Sequence, residues 1–354
     1  MKQTFLSAKL HRVNVTQVEL DYEGSCAVDS NFLEASGMQE YQKVDIYNVT
    51  NGERFSTYLI LAEKNSKTIS VNGAAAHKVS LNDVLIICSY ASLESNEIAA
   101  HKPTLVYFDS NNNINILTDP IFSNRASPFS FIGPKRLIPP GININKLPPI
   151  DVVTVSHAHY DHLDLPSLKK LYEINKETLF LVPMNLGKLL KSSGVKNVVE
   201  MNWWDTITIK DSLITFVPVH HWSSRTPFDK NETLWGGWWF ENETNKLLHL
   251  GDTGYTYDFD TIYNELGSPD VAFIPIGAYE PRSIMKDSHL NPEESIQAAI
   301  DLKTTKAIGM HWGTFMLTDE PVLDPPIRLN KELIRLNLEN LFLIPKPGEI
   351  ISLE

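Results

Sequence analysis

The chain has 354 residues, 42% of them hydrophobic, and a formal charge of −12, from 31 Lys and Arg against 43 Asp and Glu. That length leaves room for two domains with cores of their own. The acidic balance argues against general nucleic-acid binding, which needs clustered cations against phosphate.

Only two cysteines are present, Cys26 and Cys88, too few for a disulfide framework or a thiolate zinc site. The first residues, MKQTFLSAKLHRVNV, hold no long apolar stretch and no small-residue cleavage site, so no signal peptide is expected. No window reaches the ~18 apolar residues of a membrane span. The expectation is a soluble, cytoplasmic protein.

In chain order, the first hundred residues read as short strands. DSNFLEASG (29–37) suggests one short helix. KVDIYNVTNG (43–52) alternates and ends in Asn51-Gly52, a hairpin signal, with RFSTYLILAE (54–63) as the return strand. A second Asn-Gly stands at 72–73, and DVLIICSYA (83–91) is a buried strand. This spacing suggests a compact β-barrel. At FDSNNNINILTDP (108–120), three asparagines, Asn111 to Asn113, separate two apolar runs.

From about residue 114 strands alternate with helices, which argues for an α/β domain. Strands are expected at DVVTVS (151–156), TLFLVP (178–183), LITFVPV (213–219), KLLHL (246–250), VAFIPIG (271–277) and KAIGMHW (306–312). One helix opens at Asp164 with Pro166 in its first turn, and another runs over NPEESIQAAIDL (291–302) with Asn291 as its cap. The tryptophan pairs at 203–204 and 238–239 could line a lipid-facing pocket, with core or rim packing the simpler reading.

The strongest chemical signal is SHAHYDHLD (156–164). His157 and His159 are two apart and point the same way on an extended segment. Asp161 and His162 follow in the turn before the helix. Imidazole nitrogens and a carboxylate suit Zn²⁺ or a similar metal. Further candidates recur after strands: His220 and His221, Asp252 in a glycine-flanked turn, and His311. Groups at the C-terminal ends of several strands can converge on one rim. The sequence alone does not choose between His220 and His221.

These motifs, with TDPIFSNRASP, GPKR, HHWSSRT, LWGGWW, GDTGY, IPIGAYEPR and HWGTF, resemble the metallo-β-lactamase fold hydrolases, and within them the N-acyl-phosphatidylethanolamine-hydrolysing phospholipase D group. The likeness covers roughly residues 114–345. It implies an αββα fold with His157, His159 and His221 on one metal, Asp161, His162 and His311 on a second, and Asp252 bridging. It favours His221 over His220, zinc as the metal at two per chain, and a phospholipid-type substrate. His289 matches a position near the leaving group; its simpler reading is a surface cap before a helix. The β-hairpin that precedes the ILTDP strand in that family has no counterpart here, so an N-terminally truncated domain is expected.

A quieter signal is Gly24-Ser25 in DYEGSCAVD. By itself it reads as a turn. A serine hydroxyl can attack the preceding carbonyl where the backbone is strained, and glycine tolerates such geometry. The ester can then eliminate, cutting the chain and leaving a pyruvoyl group, an electrophilic carbonyl that can serve as an electron sink.

KLHRVNVTQVELDYEGSCAVD (9–29), DIYNVTNGERFSTYLILAE (45–63) and ISVNGAAAH (69–77) resemble bacterial aspartate 1-decarboxylase, over nearly that family's whole length. The resemblance implies a double-psi β-barrel that makes β-alanine from L-aspartate for pantothenate, assembled as a tetramer of cleaved chains with sites between subunits. Ser25 becomes the pyruvoyl and Gly24 supplies the scissile carbonyl. Tyr58 is the proton donor after CO₂ leaves, and Thr57 contacts substrate and assists processing. Lys9 and Arg54 receive the substrate carboxylates. Asn72 and the backbone of Gly73, Ala74 and Ala75 line the site. Without the motif, Lys9 and Arg54 would read as surface cations.

The expected organisation is therefore two domains, 1–112 and 113–354. Three functions are consistent with it. The first is an aspartate decarboxylase with an appended dimetal hydrolase-like domain. The second is a zinc phosphodiesterase acting on N-acyl-phosphatidylethanolamine-like lipids, alone or alongside the first activity. The third is a joined chain with one half as passenger. The first is preferred, because that domain is complete.

Overall fold

The computed structural model describes residues 2–22, 24–94, 96–98, 101–108, 114–210, 212–242 and 244–352. The chain divides into two compact units, Met1–Asn115 with Ile209–Asp211, and Ile116–Thr208 with Ser212–Glu354. The seam expected at Asn111 to Asn113 lies outside the described residues.

The first unit contains β1 (Gln3–Asn14), β2 (Gln17–Glu19), β3 (Ser25–Asp29), α1 (Ser30–Ser36), β4 (Lys43–Asn48), β5 (Arg54–Ala62), β6 (Ile69–Asn72), β7 (Val84–Leu93) and β8 (Thr104–Tyr107). The strands form one mixed sheet in the order β2-β6-β3-β5-β4-β7-β1-β8. Its apolar side chains, among them Leu10, Val28, Ile46, Leu59 and Ile87, make one core with Phe32 of α1. The short helix α1 starts at Asp29, whose carboxylate accepts from the Asn31 N–H at 2.8 Å, and stops at left-handed Gly37. The hairpin expected at Asn51-Gly52 joins β4 to β5, which pair antiparallel. Asn72-Gly73 differs: β6 runs into a 3₁₀ turn, Gly73–Lys78, because Gly73 is held against a neighbouring backbone segment.

The second unit has two sheets. The first takes β9 (Ile116–Thr118), β10 (Val152–Thr154), β11 (Leu179–Pro183) and β12 (Val198–Met201), all parallel, in the order β12-β11-β10-β9. Among the described residues, β9 is an edge strand of this sheet. Helices α2 (Leu165–Ile174) and α3 (Gly187–Ser193) contribute Leu168, Leu171 and Leu190 to a core with Val153, Val155, Phe180 and Val182. Asp164 occupies the cap position of α2 but makes no backbone cap bond; its carboxylate accepts instead from the N–H and hydroxyl of Ser123 and from Ser167 Oγ.

The second sheet takes β13 (Thr206–Ile209), β14 (Ser212–Val217), β15 (Gly237–Glu241), β16 (Lys246–His249), β17 (Val271–Pro275), β18 (Lys306–Met310) and β19 (Phe342–Leu343), neighbours in that order. Helices α4 (Asp258–Leu266), α5 (Arg282–Met285), α6 (Pro292–Asp301) and α7 (Asp324–Leu336) complete the unit. Phe259, Ile262, Ile296, Ala299, Leu329 and Leu333 cover the sheet from α4, α6 and α7. Asn291 caps α6 in a full capping box with Glu294.

Trp238 and Trp239 are fully buried, as the packing reading expects. Trp239 faces the helices, while Trp238 Nε1 donates to the Val155 carbonyl at 3.0 Å and ties the two sheets together. Trp203 and Trp204 are each 37% exposed. Among the described residues, no helix is long and apolar enough to cross a membrane.

Candidate active sites

In the first unit the antiparallel β3–β6 register pairs Ser25 with Asn72. Ser25 is 1% exposed, and its Oγ accepts from Asn72 Nδ2 at 3.1 Å. Asn72 is oriented in turn by the Ser70 hydroxyl, which donates to its Oδ1 at 2.7 Å. Gly24 has φ +83° and Gly73 φ +66°. A Cβ on Gly73 would lie 2.6 Å from Gly24 Cα and 2.8 Å from the Tyr22 carbonyl oxygen, so only glycine fits there. The structure thus brings Gly24, Ser25, Asn72 and Gly73 together, with Ala74 and Ala75 following in the 3₁₀ turn.

A serine-derived carbonyl group suits this cradle, since the Asn72 amide fixes Ser25 Oγ, the atom whose attack would begin its formation, beside the positive-φ Gly24. Strands β3 and β5 are parallel, with Cys26 opposite Leu59, so Tyr58 precedes Leu59 as Ser25 precedes Cys26. Thr57 and Tyr58 face Val44 and Lys43 of β4 on their other side. Lys9 lies on β1, which β5, β4 and β7 separate from β3 in the sheet order. Arg54 sits at the start of β5, its guanidinium 5.3 Å from the Tyr47 ring centroid.

In the second unit the chemistry collects at strand ends. Asp119 follows β9, and His157, His159, Asp161 and His162 lie in the loop after β10. His221 comes after β14, Asp252 after β16 and His311 directly after β18, while His289 lies between α5 and α6. Two groups have donor atoms close enough to share an ion: His157, His159 and His221, and Asp161, His162, Asp252 and His311. A third combination joins His221, Asp252 and His289. Asp252 Oδ2 stands 3.9 Å from His157 Nε2, 3.9 Å from His221 Nε2 and 3.1 Å from His162 Nε2, between the first two groups. His220 is exposed, whereas His221 is buried.

Hydrogen bonds outside this cluster orient the rings. Ser156 Oγ donates to Asp119 Oδ2 at 2.7 Å and so accepts from His157 Nδ1 at 2.9 Å. His221 Nδ1 donates to the Ser288 carbonyl at 3.0 Å, and His162 Nδ1 to Asp119 Oδ2 at 2.7 Å. Each of these three histidines therefore turns Nε2 inward, while His159 offers Nδ1, 2.8 Å from His157 Nε2. His162 Nε2 and Asp252 Oδ1 are buried without a well-formed hydrogen bond, their nearest charged partners being Asp252 Oδ2 at 3.1 Å and His311 Nε2 at 3.4 Å. Buried polar atoms left this way are costly, and a mixed nitrogen and carboxylate set suits a divalent metal such as zinc. The residues fit a dimetal centre.

Electrostatics divides the cluster in two. Burial pushes His157 well below the usual histidine range, His159 to about 4 and His221 to about 3, so all three are neutral at pH 7. Burial acts the same way on His162 and His311, but the nearby carboxylates outweigh it and raise both. Burial would raise Asp161 and Asp252; the protonated imidazoles beside them hold both well below the usual carboxylate range.

His289 is no surface cap. It is 9% exposed, with Nδ1 3.9 Å from Asp252 Oδ2. Its backbone carbonyl accepts from Arg282 Nη1 at 2.8 Å, and Arg282 Nη2 donates to both carboxylate oxygens of Glu294, at 2.8 and 2.7 Å. A cavity of about 210 Å³ opens beside Asp161, His162 and His311, walled by Ile121, Trp312 and Phe315. Asp119, Ser156 and His249, which also borders this cavity or its ligands, were not singled out from the sequence. The TDP turn is the one local signal for Asp119; its left-handed φ of +41° marks a constrained position.

The aspartate decarboxylase family model matches residues 1–115, and the β-lactamase superfamily domain model matches residues 114–312. An aspartate 1-decarboxylase from Methylobacillus flagellatus is 61% identical over 114 residues, 32% of this chain and 90% of that protein. An N-acyl-phosphatidylethanolamine-hydrolyzing phospholipase D from Caenorhabditis elegans is 39% identical over 232 residues. That match takes in 62% of this chain and 65% of the relative, so the chain spans just under two thirds of it. In solved structures, a possible metal-dependent hydrolase from Veillonella parvula aligns with a TM-score of 0.56 at 19% identity, over 68% of this chain and 93% of that one. The likeness is one of fold, and with the family match it gives the second unit the metallo-β-lactamase fold.

Proposed function

Because the chain belongs to the aspartate decarboxylase family over its first part and to the β-lactamase superfamily over its second, we propose that it converts L-aspartate to β-alanine and CO₂ and carries an appended dimetal hydrolase-like domain. The observation that carries the first activity is the buried Ser25 hydroxyl, held by Asn72 next to a glycine pair packed backbone to backbone.

Ser25 Oγ attacks the Gly24 carbonyl carbon, and the peptide bond gives way to an ester. Loss of the Ser25 α-proton expels the Gly24 carboxylate and cuts the chain. Hydrolysis of the resulting enamine releases ammonia and leaves a pyruvoyl group on the new N-terminus. That group supplies an electrophilic carbonyl and an electron sink. Arg54 and Lys9 bind the substrate carboxylates, Tyr58 delivers the proton after CO₂ departs, and Thr57 with the Gly73, Ala74 and Ala75 backbone shapes the pocket. The separation of Lys9 from Ser25 in the sheet order supports a homo-oligomer, a tetramer in which another copy completes each site. A double-psi barrel over 1–112, a hydrolase domain over 113–354 that lacks its first strands, and a cytoplasmic location belong to the same reading. The edge position of β9 supports the truncation. Radiolabelled aspartate should release CO₂ with the native chain and not with Ser25→Ala; equal release by both overturns the proposal.

A second activity is favoured by the seven converging ligands. His157, His159 and His221 would hold one zinc, Asp161, His162 and His311 another, and Asp252 both. Bound metals supply Lewis acidity and lower the pKa of the attacking water in phosphodiester hydrolysis. His289, beside Asp252, serves the leaving-group side. The substrate class is an N-acyl-phosphatidylethanolamine-like phospholipid. Turnover of such a lipid that disappears in Asp252→Asn is the expected result, and no turnover by metal-loaded native protein rejects this reading.

A further inference from the structure

The segment that follows His221 reaches back to the loop that carries the other histidines. Two peptide groups join His157 to His159, and each is held. In the first, the Ala158 N–H donates to Ser223 Oγ at 3.1 Å. In the second, the Ala158 carbonyl accepts from Arg225 Nη1 at 2.8 Å. The same nitrogen donates to the Leu163 carbonyl at 2.9 Å, closing the far end of the loop. Residues 159–162, with three of the candidate ligands, lie between those two carbonyls.

The clamp is itself fixed. Ser223 is fully buried, with Oγ 2.6 Å from Thr233 Oγ1 and its N–H on Asn231 Oδ1. The Arg225 guanidinium lies 4.0 Å from the Tyr160 ring centroid, and Tyr160 Oη donates to the Arg225 carbonyl at 3.1 Å. Arg225 N–H donates to Asp229 Oδ1 at 3.0 Å. None of these side chains is among the candidate ligands.

We propose that Ser223 and Arg225 are positioning residues that index the 157–163 loop to the strand end bearing His221, and so set the distances among His157, His159 and His221. The inference rests on the metal reading above. Without the clamp, the Ala158 peptides are free to rotate, and two ligands separated by one residue lose their common direction. Removing such outer partners typically weakens metal binding 10–100-fold.

The test uses the full chain and cobalt(II). Arg225→Gln and Ser223→Ala are each expected to weaken cobalt binding at the three-histidine group by about 10–100-fold and to change its visible absorption. Amide exchange of 157–163 in the metal-free chain should accelerate in both. Because both carbonyls are served by one nitrogen, Arg225→Lys should recover part of the affinity and part of the protection, which loss of a merely structural residue would not grant. Ser223→Ala leaves every charge in place and keeps the test open if Arg225→Gln lowers the folded fraction. Native affinity, spectrum and loop exchange in both variants overturn the inference while the metal reading stands. Native protein that takes up no cobalt overturns both.

Discussion

Gly73 packs so closely on Gly24 that a Cβ at position 73 would fall 2.6 Å from the Gly24 Cα. With φ at +66°, that position also disfavours any L side chain by about 1–2 kcal/mol before contact is counted. Gly73→Ala should therefore displace the Gly24 peptide from Ser25 and slow self-cleavage, with lower stability. Electrophoresis of freshly purified protein should show mostly uncut chain; native cleavage kinetics in Gly73→Ala contradict the cradle.

The first unit should lose stability in mild acid. Burial, with Lys9 and Arg12 nearby, lowers His11 to about 4, against roughly 6.5 in an unfolded chain. A depressed pKa contributes stability that is complete above the unfolded value and is lost as pH falls through the folded one. The His11 contribution should fade between about pH 6.5 and 4. Urea unfolding midpoints should decline less over that window in His11→Gln; identical declines reject His11 as the source.

How much of this was legible in the sequence depends on how local each cause is. The strands at DVVTVS and VAFIPIG and the capped helix from Asn291 follow from composition, alternation and one capping residue, and they form as expected. Asn72-Gly73 misleads because the same dipeptide that makes a hairpin elsewhere is held here by a backbone contact with Gly24, far away in the chain. His221 and exposed His220 are indistinguishable locally; burial separates them. The Asp119 carboxylate gains its partners, Ser156 and His162, only when β9 lies beside β10. Arg225 and Ser223 escape for the same reason, since their hydrogen bonds span more than sixty positions.

Asp119→Asn replaces an acceptor of the His162 N–H with a group that cannot hold that ring in the same way. Metal affinity at the Asp161, His162 and His311 group should fall about 10–100-fold. The three-histidine group should be affected less. Competition with a chromophoric chelator resolves the two sites, and equal losses at both contradict the assignment of Asp119 to His162.

Metal removal should soften the second unit. At metal concentrations about 100 times the dissociation constant, each ion adds ~2.7 kcal/mol, about 5.4 for two, worth roughly 10–20 °C for a unit of this size. Chelator should lower that transition in the native protein and have little effect in Asp252→Asn. A transition unmoved by chelator, in protein that elemental analysis finds metal-free throughout, contradicts the dimetal centre.

The most direct measurement is the intact mass of the purified chain. Cleavage between Gly24 and Ser25 divides the 354 residues into fragments of 24 and 354 − 24 = 330 residues. The larger should carry a pyruvoyl N-terminus that resists Edman sequencing, and Ser25→Ala should remain whole. A native chain that stays at its full uncut mass after prolonged incubation contradicts the account at its centre.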